Sequence, residues 1–316
     1  MSDTRAAFYC VSNALYFLGA AALVNSLRLV GHAEPVYVLD CGLTPEQAGL
    51  LASHATVVPA PTEAPPWLLK TVAPRRHPAE VMVLIDADSL VTRSLSELID
   101  AAAGGRVVAV EHGSDRHFPQ WGRLLGLRPP RRQPYVSSSL VLLDRGLGGR
   151  VIELMHEAQS RADLADSPFS TVSPQHGLSL DLRTEAIEDP FFFPDQDVLN
   201  AVLAGEVDRD RVMVLDRRLE AIPPFAGLRV VDESSLRCAY EDGLEPYAVH
   251  HLAAKPWLEP TAYGVYTQLL LRLLLGRDVA VRLRQRDLPP HLRMGLRGYA
   301  SRKLEGAFTH LRARAQ

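Results

Sequence analysis

The fold of this chain is decided by residues 81–91, whose sequence is VMVLIDADSLV. Five consecutive apolar residues, several of them β-branched, predict a strand buried on both faces, as in a parallel sheet covered by helices. Asp86 and Asp88 follow at the carboxyl end of that strand, where open α/β sheets bind their ligands. Because residues two positions apart on an extended chain project to the same side, both carboxylates can face one cation. The stretch therefore predicts a metal–diphosphate site or, equally, a strand that ends in an ordinary turn.

Predicted strands and helices alternate up to residue 260, which is typical of a doubly wound parallel α/β sheet. The predicted strands are 6–12, 35–41, 55–58, 81–88, 106–111, 135–144, 212–215 and 247–252. The predicted helices are 15–30, 94–103, 147–165 and 195–203, with another that begins after Thr44. Pro45 and Gln47 complete a capping box with Thr44, and Ser94 is the predicted cap of its own helix. Residues 112–134 are rich in Gly, Pro, Arg and aromatic residues and are predicted to form a loop or lid. Segment 166–194 is predicted to be irregular, and the FFFP run near its end is predicted to pack against the rest of the protein and not to bind a ligand.

Composition places the chain among ordinary globular proteins, since 47% of its 316 residues are hydrophobic and 22% are charged. A formal charge of −3 argues against a dedicated nucleic-acid binder. Residues 261–316 are predicted to be helical and basic, with 11 Lys and Arg against 3 Asp and Glu. This extension suits a peripheral membrane helix or, more simply, a helix packed on the sheet with a solvated arginine face.

Cysteine usage predicts a reducing, cytoplasmic environment. Cys10, Cys41 and Cys238 are widely spaced and odd in number, so they fit neither a disulfide framework nor a zinc signature. The N-terminal sequence lacks the charged-then-apolar layout of a signal peptide. The most apolar helical stretch, 14–30, is short for a bilayer span, so we expect no transmembrane segment.

Four stretches together carry a resemblance to a known family. They are VSNALYFLGAAALVNSL (11–27), VLIDADSLV (83–91), FPDQDVLNAVL (193–203) and VHHLAAKPW (249–257). In this order they resemble the family 8 glycosyltransferases, retaining enzymes that include glycogenin and bacterial galactosyltransferases. The resemblance implies the GT-A fold, a single Rossmann-like, mostly parallel sheet flanked by helices, here with a C-terminal helical extension. It also implies a UDP-sugar donor, a Mn²⁺ or Mg²⁺ ion, and a catalytic domain over 1–260 followed by the basic extension 261–316.

The resemblance assigns the metal site to Asp86 and Asp88, which form an Asp-x-Asp motif around Ala87. A cation there is chemically reasonable, because a nucleotide diphosphate leaves more easily when its developing charge is neutralised. The family places a further metal ligand and a diphosphate-binding lysine where this chain has His250 and Lys255. His251 is the alternative ligand, because the loop is shorter here and alanine replaces the family's glycine. We favour His250, since the family usually has an aromatic residue at the next position.

The resemblance also assigns the uridine to the end of the first strand, at Val11, Ser12, Asn13 and Tyr16. An Asn amide can satisfy a donor and an acceptor on a base edge, and a Tyr ring can stack on the base. The alternative for Asn13 is a simple helix N-cap. Lys70 matches a basic residue that contacts the donor sugar or diphosphate, although a lone lysine ordinarily faces solvent.

Two further stretches are expected beside the donor sugar. Ser137 and Ser138 occupy the family's Asn-Ser-Gly strand, and the alternative is a strand whose serines border a polar cleft. Asp195 and Gln196 are the expected catalytic residues at the anomeric carbon, whereas the alternative is a helix start favoured by the macrodipole. Retention needs either a covalent intermediate or same-face attack, and a carboxylate or amide oxygen could stabilise the oxocarbenium charge in either case.

The sequence therefore predicts a metal-dependent retaining glycosyltransferase that moves a hexose from a UDP-sugar to an unknown acceptor. The acceptor classes that remain open are a glycan, a lipid-linked sugar and a small natural product. One alternative is a UDP-sugar-binding protein of the same fold without turnover, which the altered serine strand and histidine loop would favour. The other is a haloacid-dehalogenase-like phosphohydrolase, which also places Asp-x-Asp after a strand. That superfamily usually has Thr or Val where this chain has Leu90, so the match is poor.

Overall fold

The computed structural model of the protein describes residues 4–61, 65–162, 189–252, 255–259 and 263–293. The strands are β1 (Ala6–Ser12), β2 (Val36–Asp40), β3 (Thr56–Pro59), β4 (Val81–Ile85), β5 (Ser89–Val91), β6 (Val107–Glu111), β7 (Val136–Asp144), β8 (Val212–Leu215), β9 (Glu220–Ala221), β10 (Arg229–Asp232), β11 (Arg237–Ala239) and β12 (Ala248–His250). The helices are α1 (Phe17–Leu29), α2 (Pro45–Ala52), α3 (Val72–Arg76), α4 (Ser96–Ala103), α5 (Trp121–Leu125), α6 (Leu147–Gln159), α7 (Pro194–Glu206) and α8 (Val265–Leu275).

The central element is a seven-stranded sheet with the order β3-β2-β1-β4-β7-β6-β8. β7 runs antiparallel to both of its neighbours, and the other neighbouring strands are parallel. The pairing register sets Phe8 of β1 opposite Val36 of β2 and Val83 of β4. The predicted mostly parallel sheet flanked by helices is confirmed, with β7 as an antiparallel member that the sequence did not reveal.

Strand β4 lies inside the sheet and is buried on both faces, as its apolar run predicts. Val81, Val83 and Ile85 enter one apolar layer with α1, α4 and α8, whereas Met82 and Leu84 enter the other with α6 and α7. Each of these side chains is at most 3% exposed. Truncation of one buried side chain of this size to Ala costs about 2–5 kcal/mol. This double burial fixes the end of the strand, and the aspartate turn follows directly.

A second sheet, with the order β5-β12-β9, continues from that turn. β12 pairs antiparallel with β5, which sets His250 opposite Ser89. β12 also pairs parallel with β9, which sets Ala248 opposite Glu220. Because β5 begins directly after Asp88, this small sheet brings the histidine strand to the aspartate turn. Strands β10 and β11 form a separate antiparallel pair.

The two predicted helix caps had different outcomes. Thr44 and Gln47 exchange side chain-to-backbone hydrogen bonds, so the capping box of α2 is confirmed. The predicted cap by Ser94 formed only in part, because α4 begins at Ser96. Oγ of Ser94 accepts from the N–H of Ser96 at 3.3 Å, whereas the N–H of Leu95 donates to Nε2 of His32 at 2.9 Å. A local side chain and one distant in sequence therefore both bond the N-terminus of α4.

The segment 112–134, predicted as a loop or lid, contains the short helix α5. The helix predicted over 147–165 ends at Gln159 in the described part of the chain. Most of the irregular segment predicted at 166–194 lies outside the described residues. At its end Phe191 is 2% exposed, which confirms the packing role predicted for the FFFP run.

Helix α8 packs against α1 and so joins the start of the predicted basic extension to the core. The fully buried Asn25 of α1 donates to the carbonyl oxygens of Leu273 and Val281 and accepts from the N–H of Val281. Because both its donors and its acceptor are used, burial of this amide carries little cost. Between 276 and 293 the chain forms two short 3₁₀ turns, and residues 294–316 of the predicted extension lie outside the described residues. Within the described ranges, none of the helices has both the length and the apolar character needed to cross a bilayer.

Candidate active site

The two aspartates lie in a turn whose backbone is held by distant parts of the chain. The N–H of Asp86 donates to the carbonyl oxygen of Ser139 in β7 at 2.9 Å. The carbonyl oxygen of Asp88 accepts from the N–H of His251 at 3.3 Å and from the Tyr266 hydroxyl at 2.9 Å. The conformation of the turn is therefore set by the tertiary fold.

Helix α1 approaches this turn through Gly19. A Cβ atom at that position would overlap the carbonyl oxygen of Ala87 and would lie 2.8 Å from Cη2 of Trp257. Trp257 in turn donates from Nε1 to the carbonyl oxygen of Leu15 at 2.7 Å. The glycine thus allows α1, the aspartate turn and the Lys-Pro-Trp segment to pack together.

Asp86, Asp88 and His250 form a cluster that could hold a metal ion. One ligand atom of each lies within 4.8 Å of the others, and Nε2 of His250 is 3.1 Å from Oδ1 of Asp88. Two carboxylate oxygens and one imidazole nitrogen suit a divalent cation such as Mn²⁺ or Mg²⁺ whose remaining positions are filled by water or phosphate oxygens. The structure therefore brings together the three residues predicted as metal ligands. His251 instead packs its ring against Tyr266, with centroids 4.9 Å apart.

The neighbours of Asp88 keep it ionised. Nζ of Lys255 lies 2.5 Å from Oδ2 of Asp88 and 5.8 Å from the ring centroid of Tyr16. Burial raises the pKa of the Asp88 carboxyl, but Lys255 and His250 outweigh burial and hold that pKa well below its usual range. Burial lowers the pKa of His250, but the carboxylates of Asp88 and Glu220 outweigh burial and raise it to about 10. A cation that binds Nε2 must therefore replace a proton there.

Lys70 joins the metal cluster to the predicted catalytic residues. Its Nζ lies 2.6 Å from Oδ1 of Asp86, 2.6 Å from Oδ2 of Asp195 and 3.4 Å from Oγ of Ser138. Burial lowers the pKa of Lys70, but the two carboxylates outweigh burial and raise that pKa above its ordinary value. The Lys70 side chain is 15% exposed, so the solvent-facing alternative for this lysine is wrong.

The first turn of α7 is fixed to the serine strand β7. Ser138 donates from Oγ to Oδ2 of Asp195 at 2.7 Å, and its backbone N–H donates to Oε1 of Gln196 at 3.1 Å. One turn further, Asn200 accepts from the N–H of Val136 and donates to its carbonyl oxygen, both at 2.8 Å. These bonds place Asp195 next to Lys70. They leave Nε2 of Gln196 buried and without a hydrogen-bond partner among the described residues.

The third residue of the Asp-Gln-Asp motif faces away from this group. Asp197 is fully buried and accepts two hydrogen bonds from Arg116, one from the Tyr135 hydroxyl and one from the N–H of Phe193. Burial raises the pKa of Asp197 to about 6, although these donors lower it. Asp197 thus ties segment 112–134 to α7.

The residues predicted to bind uridine lie at the end of β1, and their side chains have different surroundings. Oδ1 of Asn13 accepts from the N–H groups of Leu15 and Tyr16 at 3.0 and 3.1 Å, which closes a turn ahead of α1. The helix N-cap proposed as its alternative is wrong, because the N-cap position of α1 is Tyr16 and no side chain caps it. Oγ of Ser12 donates to the carbonyl oxygen of Asn13 at 3.3 Å. Val11 is half-buried and pairs through its backbone with β2.

A cleft of about 510 Å³ lies next to Glu220, whose carboxylate faces His250 of the metal cluster. Its lining includes the buried Ser137 and Glu220 and the less buried His112, Arg217, Phe225 and Tyr240. Burial lowers the pKa of His112 to about 4, so its ring is neutral. Phe225 has a φ of 57°, a left-handed conformation that bulky residues rarely adopt, which indicates a turn held in shape by its surroundings. Glu220 and most of this lining could not be found from sequence, because a two-residue strand and the loops around it carry no local motif.

Comparison with solved structures finds this architecture in glycosyltransferases. The galactosyltransferase LgtC in complex with donor and acceptor sugar analogs matches with a TM-score of 0.51 and 16% identity, over 86% of this chain and 98% of that chain. An active-site mutant of LgtC matches with a TM-score of 0.50 and 15% identity, over 83% of this chain and 94% of that chain. The chain has the GT-A glycosyltransferase fold.

The GT-A fold confirms the architecture that the four sequence stretches imply. The glycosyltransferase GlyE of Streptococcus pneumoniae TIGR4 aligns with a TM-score of 0.41 and 14% identity, over 66% of this chain and 44% of that chain. No protein-family model matches the chain, and no curated protein matches it in sequence.

Proposed function

We propose that this protein is a metal-dependent retaining glycosyltransferase that transfers a hexose from a UDP-sugar to an acceptor hydroxyl. One observation carries the proposal: Asp86, Asp88 and His250 converge with two lysines at the carboxyl end of β4 in a GT-A fold. LgtC, a galactosyltransferase of the same fold whose structure holds donor and acceptor sugar analogs, supports this class of reaction.

We infer that Asp86, Asp88 and His250 hold Mn²⁺ or Mg²⁺, while Lys70 and Lys255 bind oxygens of the donor diphosphate. When bound, the ion supplies Lewis-acid stabilisation of the negative charge on the departing diphosphate. Lysine ammonium groups are point charges without a fixed direction, which suits a leaving group whose charge is spread over several oxygens. Both lysines already lie within contact of the cluster carboxylates, so little reorganisation is needed to meet the donor.

Asp195 and Gln196 are proposed to act at the anomeric centre of the donor sugar. Because the N–H of Ser138 can only donate, it faces Oε1 of Gln196 and leaves Nε2 as the free end of the amide. Nε2 would then donate to a sugar or acceptor oxygen, and the Asp195 carboxylate would stabilise an oxocarbenium-like transition state. One of the similar LgtC structures is an active-site mutant in which a glutamine is replaced by glutamate, which supports a glutamine at such a site.

The uridine is proposed to lie at the end of β1, beside Val11 and Ser12. Tyr16 would offer its ring face to the base, next to the diphosphate-binding Lys255. Because Oδ1 of Asn13 is engaged by two backbone N–H groups, the amide Nδ2 is the part of that side chain that would meet a base acceptor.

The acceptor is assigned to the cleft beside the cluster. Its volume of about 510 Å³ can hold a sugar-sized molecule, and its wall reaches the cluster through Glu220, whose Oε1 lies 3.4 Å from Nδ1 of His250. Phe225 and Tyr240 would supply aromatic faces, and Arg217 would supply hydrogen-bond donors. A glycan, a lipid-linked sugar and a small natural product all present the hydroxyl that the reaction needs.

The test is calorimetric titration of UDP and a panel of UDP-sugars, with Mn²⁺ or with EDTA, followed by an assay of transfer and slow hydrolysis. We expect Mn²⁺-dependent binding that Asp88→Asn abolishes and that Asp100→Asn, an exposed aspartate paired with Arg5, leaves unchanged. Failure of every uridine nucleotide to bind would refute the proposal. Binding without transfer or hydrolysis would favour the non-catalytic binding protein, and cleavage of a generic phosphate ester would favour the phosphohydrolase.

A further inference from the structure

The imidazole ring of His250 lies between two carboxylates. Its Nε2 is 3.1 Å from Oδ1 of Asp88, and its Nδ1 is 3.4 Å from Oε1 of Glu220. The side chains of His250 and Glu220 are 4% and 2% exposed, so water has little access to either. Nδ1 makes no well-directed hydrogen bond with the described residues, and Glu220 is the anion that faces it.

Glu220 is itself held in place from two directions. The pairing of β9 with β12 sets it opposite Ala248, two residues before His250. Ser139 donates from Oγ to Oε1 of Glu220, and the hydroxyls of Ser137 and Ser139 are hydrogen-bonded to each other. A buried carboxylate is costly unless it is paired, so its location here depends on the histidine and the serine hydroxyls.

We propose that Glu220 is a positioning residue that accepts the Nδ1–H of His250 and thereby directs the Nε2 lone pair toward Asp86 and Asp88. This inference rests on the proposed metal-dependent function. A neutral imidazole carries its proton on one nitrogen, and only the Nδ1–H form leaves Nε2 free to bind a cation. Metal-binding histidines commonly donate their second N–H to a carboxylate, which fixes both the ring orientation and the tautomer.

The position of Glu220 excludes the simpler role of an additional metal ligand. Its carboxylate faces Nδ1, whereas the cluster lies at Nε2, so the imidazole ring separates Glu220 from the cation position. Glu220 also lines the cleft assigned to the acceptor. One buried side chain therefore connects the wall of that cleft to the orientation of a metal ligand.

The first test measures Mn²⁺ affinity at saturating UDP by calorimetry. We expect Glu220→Gln, which keeps the shape but can present a donor to Nδ1, to weaken Mn²⁺ binding roughly 10- to 100-fold. The matched control is Glu206→Gln, because Glu206 is also largely buried and paired with an arginine, Arg128, but lies at the C-terminal end of α7, opposite to Asp195. That variant should bind Mn²⁺ like the wild type.

The second test detects the histidine ligand directly. The electron spin-echo spectrum of bound Mn²⁺ shows nitrogen modulation when an imidazole is coordinated. We expect this signal in the wild type, its loss in His250→Ala and a weaker signal in Glu220→Gln. In the His250→Ala background, Glu220→Gln should cause no further loss of affinity, because a positioning residue acts only through the residue it positions.

The outcomes separate this inference from the proposed function. Failure of the wild type to bind Mn²⁺ with UDP would refute both. Wild-type binding with unchanged affinity and nitrogen signal in Glu220→Gln would overturn the positioning role alone. If Glu220→Gln does not fold, Ser139→Ala replaces it, since loss of the hydroxyl that holds Glu220 should weaken Mn²⁺ binding by a smaller factor, and no change would overturn the inference.

Discussion

A methyl group added at Gly19 should damage activity more than stability. The new Cβ would overlap the carbonyl oxygen of Ala87 and lie 2.8 Å from Cη2 of Trp257, whereas ordinary contact begins at 3.4 Å. Both neighbours are buried, so relief of the overlap requires movement of the aspartate turn relative to α1 by about 1 Å. Asp86 and Asp88 flank Ala87, and both carboxylates must move with it.

The expected loss of stability is small, whereas the expected loss of catalytic rate is large. Overpacking of this kind costs about 1–3 kcal/mol, but Ala is favoured over Gly inside a helix by about 1 kcal/mol, which leaves a net loss of about 0–2 kcal/mol. A displacement of about 1 Å in a catalytic group can lower the rate roughly 100-fold. We therefore expect Gly19→Ala to lose about 100-fold in kcat/KM and to bind Mn²⁺ more weakly, with a modest change in stability.

Gly49→Ala is the matched control. Gly49 lies inside α2, and a Cβ there would meet no atom within 4 Å. This variant should gain up to about 1 kcal/mol in the free energy of unfolding and keep wild-type kcat/KM. Urea unfolding measures the free energy of unfolding of both variants, and steady-state kinetics measure their kcat/KM. If Gly19→Ala were as active as the wild type and stabilised like Gly49→Ala, the close approach of α1 to the turn would be disproved.

Three further predictions follow from the buried charges. Lys70→Met should lower kcat/KM by about 100-fold or more, because two carboxylates lose their shared cation, and Lys70→Arg should recover part of the loss in steady-state assays. Arg116→Leu should lower the free energy of unfolding by about 3–5 kcal/mol, because the buried Asp197 carboxylate loses the positive charge of Arg116. Arg132→Leu, which breaks an exposed ion pair, should change the free energy of unfolding by less than about 0.5 kcal/mol, and urea unfolding measures both. Folding raises the pKa of His250 from 6.5 to about 10, so the protonated imidazole stabilises the folded protein when EDTA keeps metal away. This contribution to the free energy of unfolding should be complete below pH 6.5 and should be lost as pH rises through about 10. A His250→Asn variant should lack that decline in urea unfolding at pH 7–10, and an equal decline in both proteins would contradict the assignment.

Local sequence patterns correctly predicted those features whose hydrogen bonds join residues close together in the chain. The capping box of Thr44 and Gln47 formed as predicted because its hydrogen bonds join residues three positions apart. The cap predicted at Ser94 formed only in part: Ser94 accepts from the N–H of Ser96, but the N–H of Leu95 donates to the distant ring of His32, a contact that no local pattern predicts. Asn13 likewise bonds two nearby N–H groups, but it does so in the turn before α1 and does not cap the helix itself.

The residues of the candidate site also divide into those that local patterns identify and those that depend on contacts between distant parts of the chain. Asp86 and Asp88 could be found because a buried apolar strand and an i, i+2 spacing are local features. Lys70 and His250 were named only through resemblance to a family, and their distances to the aspartates come from tertiary contacts. Glu220 had no signal at all, since a two-residue strand followed by a proline loop has no distinctive pattern.

The sequence by itself determined the α/β class, the position of β4 and the pair of carboxylates at its end, because hydrophobic periodicity and burial act on contiguous residues. Only the tertiary structure decided which of two adjacent histidines meets those carboxylates and which carboxylate faces its other nitrogen. The register of β12 between β5 and β9 points His250 toward Asp88 and Glu220 and sends the next ring, His251, toward Tyr266. Successive side chains on a strand face opposite sides, so a shift of one residue would exchange the two histidines, and that register depends on contacts across the whole chain.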